Sequence, residues 1–448
     1  MTREEFEHEF HSRTLAYQPA FRADARPVVV LVGRDAHCRA GHTLLVALVN
    51  QLARAHQRIV IHGAGEQELR CPALFDRTGL TDATLGLARA INPFIAVAAD
   101  LPSTEPLVTI AIGQTSERAD LRVGCDGWCA TFGPGVRVGS DATSPLGAML
   151  ASCITAAYAF HCLLGQRTLP AASYSLWNYG AAGEQQGPEF RGPLDLGRVL
   201  QVGAGGVGAA LDYWAALIGI TGSWTISDKD AVDVSNLNRQ LAFLAVHAGF
   251  PNPPAGSKAK IVAGLLGPDA TASPHWYDEN PTVSGVHYDV VLGLANDRGV
   301  RAALQARQQP VLLHATTSSN WEAQFHRHVA GADDCINCRI PTNGGPPIAC
   351  AEGEVEPATG TDAALPFLSG AAGLLLLAGL IRLQRGELMG TSHNFMSLNL
   401  KTAAAEVQRL HRPCNDGCSA WAAPQVRRAM GTSQTRYAGL DLATARSD

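Results

Sequence analysis

Apolar positions in this chain fall into short, unbroken runs separated by longer stretches of helical period. PVVVLVG, from Pro27 to Gly33, is a continuous apolar run ending in glycine, the pattern of a strand buried on both faces. The apolar helix TLLVALVNQLARA follows, and then a second strand, QRIVIHG, from Gln57. The order returns near the middle of the chain: VLQVGAGG leads into an apolar helix and then into SWTISD. YDVVLGLANDRGVR supplies a further buried strand. Strands alternating with helices predict parallel sheets with helices on both faces, so the chain reads as α/β, with two copies of one design.

The predicted divisions are an arm over 1–25, a first α/β domain over 26–168, a connector over 169–191, a second α/β domain over 192–423 and a tail over 424–448. The arm reads as a polar helix, and the connector is set by its polar, glycine- and proline-rich composition. Inside the second domain, residues 340–366 contain PTNGGPPIACAEGEVEPATG, too dense in glycine and proline for regular structure. A loop of that length in a compact domain is usually functional or disordered. LSGAAGLLLLAGLI, from Leu368 to Ile381, is short and glycine-broken for a membrane span and reads as a buried helix.

Composition narrows the class. A length of 448 residues suits two or three domains, and a net charge of −5 offers no reason to expect a nucleic-acid partner. MTREEFEHEF is acidic and polar, unlike a secretory signal, and no membrane segment is expected. Eleven cysteines without a signal then predict thiols, metal ligands or catalysis rather than disulfides, and a cytoplasmic protein.

Candidate chemistry centres on Gly203, Gly205 and Gly208, a G-x-G-x-x-G turn between a strand and a helix. Such glycines let backbone N–H groups approach a phosphate, and the helix N-terminus favours negative charge. Asp228, at the end of the next strand, suits ribose hydroxyls. Alone, this pattern does not separate NAD from ATP. SDKDAVDVSNLNRQ then groups Asp228, Asp230, Asn236, Arg239 and Gln240, and GSKAK adds Lys258. An arginine and a lysine just beyond the ribose acid suit charge developing on a departing pyrophosphate, which favours ATP. Asp297 closes the YDVVLGLAND strand, where a carboxylate can hold Mg²⁺ near phosphates.

This constellation resembles the ThiF/MoeB and ubiquitin-activating-enzyme family, whose pattern GxGGxG, acid-x-acid, NLxRQ, serine–lysine and strand-ending Asp is met by GAGGVG, DKD, NLNRQ, SKAK and ND. The resemblance covers roughly Gly192 to Trp421. It implies two Rossmann-like, ThiF-type adenylation domains, the first degenerate because GRDAHCRAG stands in place of GAGGVG. It further implies Mg-ATP-dependent adenylation of the C-terminal glycine of a ubiquitin-like protein. By carry-over, Gly203, Gly205 and Gly208 cradle phosphates, Asp228 holds ribose, Asn236, Arg239 and Lys258 bind phosphates, and Asp297 takes the metal. Lys258 fits the serine–lysine segment better than Lys260. Family members act as homodimers or as fusions of an inactive and an active half, so a monomer or homodimer is expected. An arginine from an N-terminal helix reaches the ATP site in the family, with Arg13 and Arg22 as candidates.

The cysteines divide by spacing. Cys335 and Cys338 form one short-spaced pair and Cys414 and Cys418 another, together enough thiolates for a tetrahedral Zn²⁺, as at matching places in the family. Cys350 stands apart in the irregular loop, and the family's thioester-forming cysteine lies in this crossover segment. Cys125 and Cys129 read as structural thiols, and Cys153 and Cys162 as core. The preferred reading is therefore activation of a ubiquitin-like protein: adenylation, thioester formation on Cys350, and transfer to a conjugating enzyme. It resembles bacterial ubiquitination-like systems, some of which sit in antiviral operons. The alternatives are a sulfur-carrier adenylyltransferase for cofactor or tRNA thiolation, a nicotinamide-dependent dehydrogenase, and a catalytically dead scaffold.

Overall fold

The computed structural model describes residues 1–17, 21, 23–72, 79–139, 144–167, 170, 173–180, 187–275, 277, 286–296, 300–301, 303–304, 311–318, 320–329, 333–339, 365–388, 393–402, 404–410 and 436–437. Its strands form two sheets. The first comprises β1 (Val28–Val32), β2 (Arg58–His62), β3 (Ala96–Ala98), β4 (Val108–Ile112), β5 (Leu121–Asp126), β6 (Cys129–Phe132) and β7 (Ser173–Ser175), in the order β3-β2-β1-β4-β5-β6-β7. The second comprises β8 (Leu194–Val202), β9 (Ile220–Ser227), β10 (Ala270–Ser273), β11 (Val290–Gly293), β12 (Val311–Thr317), β13 (Glu322–Val329), β14 (Phe395–Asn399) and β15 (Ala404–Gln408). Its order is β10-β9-β8-β11-β12-β13-β14-β15.

The two orders are one topology. In each sheet the first five strands are parallel and run third, second, first, fourth, fifth, and the strands beyond them are antiparallel. The order reverses between β1 and β4, and again between β8 and β11. Crevices for ligands open at such reversals, beyond the carboxyl ends of the strands.

The helices are α1 (Arg3–Tyr17), α2 (Arg39–Leu52), α3 (Leu80–Ile91), α4 (Leu146–Leu163), α5 (Gly206–Ile218), α6 (Lys258–Leu266), α7 (Ile336–Arg339) and α8 (Pro366–Gln384), and those of the arm, of TLLVALVNQLARA, after the glycine turn and of LSGAAGLLLLAGLI stand where the sequence places them. α4 and α8 are long and apolar enough to cross a membrane, yet they are 94% and 100% buried inside the fold. The glycines of α8 serve packing. A Cβ at Gly373 would collide with the backbone of Leu211 and Ala210, so glycine lets α8 lie directly on α5. Trp214 of α5 donates its indole N–H to the Gly370 carbonyl at 2.8 Å.

Two expectations need correction. The arm is not polar throughout: Phe6 and Phe10 of α1 are wholly buried, with Phe6 packed on Phe94 and on Phe250. Two phenylalanines four residues apart present one apolar stripe, which average composition conceals. The stretch read as a connector also contributes to the first sheet. Its Ser173, Tyr174 and Ser175 pair with β6 as the edge strand β7, and Trp177 packs edge-on against Trp128 at 5.1 Å. Three residues of alternating polarity are too short a signal to stand out from a loop.

Candidate nucleotide-binding cleft

β8 ends at Val202, and the chain turns through Gly203 with φ +103°, a conformation that glycine alone adopts without strain. Glycine is also required at Gly208, where a Cβ would press into the Gly203 carbonyl, so the first turn of α5 can seat against the strand. Gly205 differs. It caps α5 without a side-chain hydrogen bond, and a Cβ there would meet no protein atom within 4 Å. The N-terminus of a 13-residue helix therefore opens onto free space, with its orphan N–H groups and positive dipole end turned toward it.

That space is a cleft of about 750 Å³. Asp228 stands at its rim, one carboxylate oxygen accepting the Ala204 N–H at 2.7 Å and the other the Asp230 N–H at 2.9 Å. The acid thereby stitches the glycine turn to the end of β9. Burial pushes its pKa up, against the pull of the two N–H donors and of Lys258. Lys258, buried at the start of α6, places Nζ 3.0 Å from Asp230, whose side chain is about half exposed. Asn236, Arg239 and Gln240 line the same cleft and are all buried. The Asp233 and Asn236 side chains cap their own turn, with Asn236 Oδ1 accepting the Asp233 N–H at 3.1 Å. Arg239 donates to the Ser235 carbonyl at 2.6 Å and to Asn238 Oδ1 at 3.3 Å, which fixes its guanidinium. Lys260 is exposed and does not line the cleft.

Asn296 lines the wall beyond β11, while Asp297 lies outside the described residues. Other lining residues were not singled out from the sequence: Arg301, Thr316, Thr317 and Ser369. Arg301 stands four positions beyond Asp297, close enough in the NDRGVR motif to have been found. The threonines and Ser369 come from β12 and the start of α8, which only the fold brings here. Of the two candidate arginines in the arm, Arg13 lines the cleft and its charge lowers the Asp233 pKa; Arg22 lies outside the described residues.

The first sheet differs at the equivalent position. After β1 the chain runs through Gly33 into a 3-10 turn carrying Asp35. One Asp35 oxygen accepts the Gln114 N–H at 2.7 Å and the other the Val138 N–H at 3.1 Å. A carboxylate thus occupies the reversal point between β1 and β4 and would repel phosphate. The residues after β2, Gly63-Ala64-Gly65, hold no acid to match Asp228.

The first half also shapes the second. Arg54, fully buried just past α2, donates to the carbonyls of Leu237, Leu241 and Phe243, and Asn50 donates to Leu241. Burial lowers the Arg54 pKa to about 9, which leaves it cationic at neutral pH. These bonds clamp the backbone on both sides of Arg239 and Gln240. From α1, Thr14 accepts from Asn238 at 3.2 Å.

The ThiF family model matches residues 183–420, more than half of the chain and the part that carries the cleft. The chain belongs to the ThiF family. Residues 27–174 match a second model, the BilD N-terminal domain. Among curated relatives, the uncharacterised protein y4jF of Sinorhizobium fredii is 32% identical over 72% of this chain and 62% of its own length. The SAMP-activating enzyme E1 of Haloferax volcanii is 38% identical over 25% of this chain and 38% of its own. The ubiquitin-like modifier-activating enzyme 7 of Homo sapiens is 32% identical over 33% of this chain and 16% of its own. This chain thus spans less than two thirds of each. A solved structure of E. coli MccB with ATP aligns over 67% of this chain and 97% of its own, at 15% identity and a TM-score of 0.38.

The cysteines of this ThiF-family chain separate by burial. Cys125, Cys129, Cys153 and Cys162 are buried, and burial raises the pKa of each, which makes them poor nucleophiles. Cys335 is fully buried, and its Sγ accepts the Cys338 N–H at 3.4 Å across the start of α7. Cys350, Cys414 and Cys418 lie outside the described residues.

Proposed function

We propose that the chain activates a ubiquitin-like protein. The observation that carries this reading is the convergence, in one open cleft at the N-terminus of α5, of Gly203, Gly205, Asp228, Asn236, Arg239 and Lys258. A nicotinamide site does not need a buried arginine and lysine beyond the ribose acid, whereas a triphosphate does. The names of two relatives, both activating enzymes, support the same reading.

In this reading the glycine turn and the α5 N-terminus hold the phosphates of ATP, and Asp228 the ribose. Asp297 would hold Mg²⁺. The C-terminal glycine carboxylate of the ubiquitin-like protein attacks the α-phosphorus, and pyrophosphate leaves. Arg239 and Lys258 stabilise the charge that develops on it, with Asn236 and Gln240 as polar partners and Asp230 holding Lys258 in place. The Cys350 thiolate then attacks the acyl-adenylate carbonyl, AMP leaves, and the resulting thioester passes to a conjugating enzyme. The first half is a non-catalytic copy: Asp35 closes its own crevice, while Arg54 and Arg13 serve the second. Cys335 and Cys338, with Cys414 and Cys418, hold a structural Zn²⁺. The N–H to Sγ bond at Cys335 suits a thiolate ligand, and soft sulfur donors suit zinc.

Exchange of labelled pyrophosphate into ATP tests the reaction class. Exchange that requires Mg²⁺ and a ubiquitin-like protein ending in glycine is expected. Nicotinamide reduction without exchange would turn the reading over to the dehydrogenase.

A further inference from the structure

We propose that His314, His326 and His328 form a buried binding site for a first-row divalent cation, best matched by Zn²⁺, separate from the cysteine pairs and independent of the adenylation reading. The three lie on adjacent antiparallel strands. His314 of β12 pairs directly with His326 of β13, and His328 follows two residues on, on the same face. Their ligand nitrogens all lie within 4.8 Å of one another, and the three side chains are buried.

The hydrogen bonding is what a metal site needs and a packed core does not. His328 Nδ1 faces the Asp334 carbonyl at 2.9 Å. A carbonyl can only accept, so Nδ1 carries the proton and Nε2 is left as a bare lone pair. A backbone carbonyl bonded to the far nitrogen is the usual way a ligating imidazole is oriented. That Nε2, and both ring nitrogens of His314 and His326, are buried without any hydrogen-bond partner. Five orphaned ring nitrogens in one cluster are costly, because each has lost its hydration with no partner in return. A shared cation would satisfy three of them at once.

Burial of the cluster favours the neutral, ligating form. It lowers the pKa of all three imidazoles, helped by the charge of Arg339 and, at His314 and His326, of Arg301. The charge of Arg339 is offset by the buried Asp334, and that of Arg327 by Asp333 at 2.9 Å. Three neutral imidazoles fit zinc, nickel or copper rather than magnesium or calcium. A tetrahedral ion with bonds near 2.0–2.1 Å would draw the nitrogens to roughly 3.3 Å apart, within reach of small side-chain rotations, with solvent as the fourth ligand. Because Ala315, Thr316 and Thr317 follow His314 directly and line the nucleotide cleft, an ion here would pin that wall.

Zinc content and zinc X-ray absorption of the full chain test the site. Wild type, stripped with chelator and reloaded with Zn²⁺, should bind two ions per chain, with an imidazole-nitrogen shell beside the sulfur shell. His326→Phe should bind one ion and lose the nitrogen shell, and the Cys335→Ser/Cys414→Ser variant should keep the nitrogen shell and lose sulfur. One ion per chain with sulfur ligands only, or equal zinc content in wild type and His326→Phe, overturns the histidine site. Nitrogen ligands without sulfur would instead remove the four-thiolate site and leave this one standing. If His326→Phe does not fold, the wild-type absorption spectrum decides by itself, since a four-cysteine site contains no nitrogen.

Discussion

Arg239→Ala should lower pyrophosphate exchange by about 100- to 1,000-fold, the usual loss when one preorganised donor to a developing negative charge is removed. The size follows from how rigidly the guanidinium is held. It is buried, bonded to the Ser235 carbonyl and to Asn238, and its loop is clamped by Arg54 from the first half. No reorganisation is then needed as pyrophosphate charge forms. Arg239→Lys should also fall well below wild type, because an ammonium cannot reproduce two directed bonds from one planar fork. Lys260→Ala serves as the control, since Lys260 is exposed and outside the cleft. Wild-type exchange in Arg239→Ala would remove this residue from the phosphate site.

Cys350→Ala should keep adenylation and lose the covalent product entirely. Adenylation draws on the cleft residues, whereas the thioester needs a sulfur nucleophile that alanine cannot supply. With Mg-ATP and the ubiquitin-like protein, wild type should give a thiol-sensitive adduct on non-reducing gels, and the variant none. Pyrophosphate exchange should be equal in the two. An adduct that persists in Cys350→Ala would assign the acceptor role elsewhere; Cys125 and Cys129, both buried, are poor replacements. Adenylation by a wild type that never forms an adduct would favour the sulfur-carrier reading.

Where apolar runs are continuous, the sequence predicted the fold well. β1 is buried along its whole length and β8 from Val199 to Val202, and such stretches announce themselves as runs rich in valine and leucine. α8 was legible for the same reason. The antiparallel additions, β6 and β7 in one sheet and β13 to β15 in the other, were not. β13 reads EAQFHRHV, polar enough to pass for a surface segment, and its buried histidines and Arg327 make sense only beside Asp333 and β12. The histidine cluster was invisible on the same ground: His326 lies 12 positions beyond His314, and strand register alone brings them together.

The candidate site was legible where its residues are local. The glycine turn, Asp228, Asn236, Arg239 and Lys258 fall within 56 positions of one another, and one crevice gathers them. Arg54 and Asp35 could not be read in advance. The work of Arg54 is done on carbonyl oxygens more than 180 positions away, and carbonyls carry no sequence signature. Asp35 acts by filling a space that only the paired strands define.

The most direct measurement of the central claim is the mass of a glycine-terminated ubiquitin-like protein after incubation with the Cys350→Ala chain, in which the adenylate is not consumed, with Mg-ATP and pyrophosphatase. The account predicts a product heavier by one adenylyl group, localised to the C-terminal glycine and absent when ATP is replaced by NAD. An unchanged mass with ATP fully retained, across ubiquitin-like proteins from the chain's own genome, would contradict it.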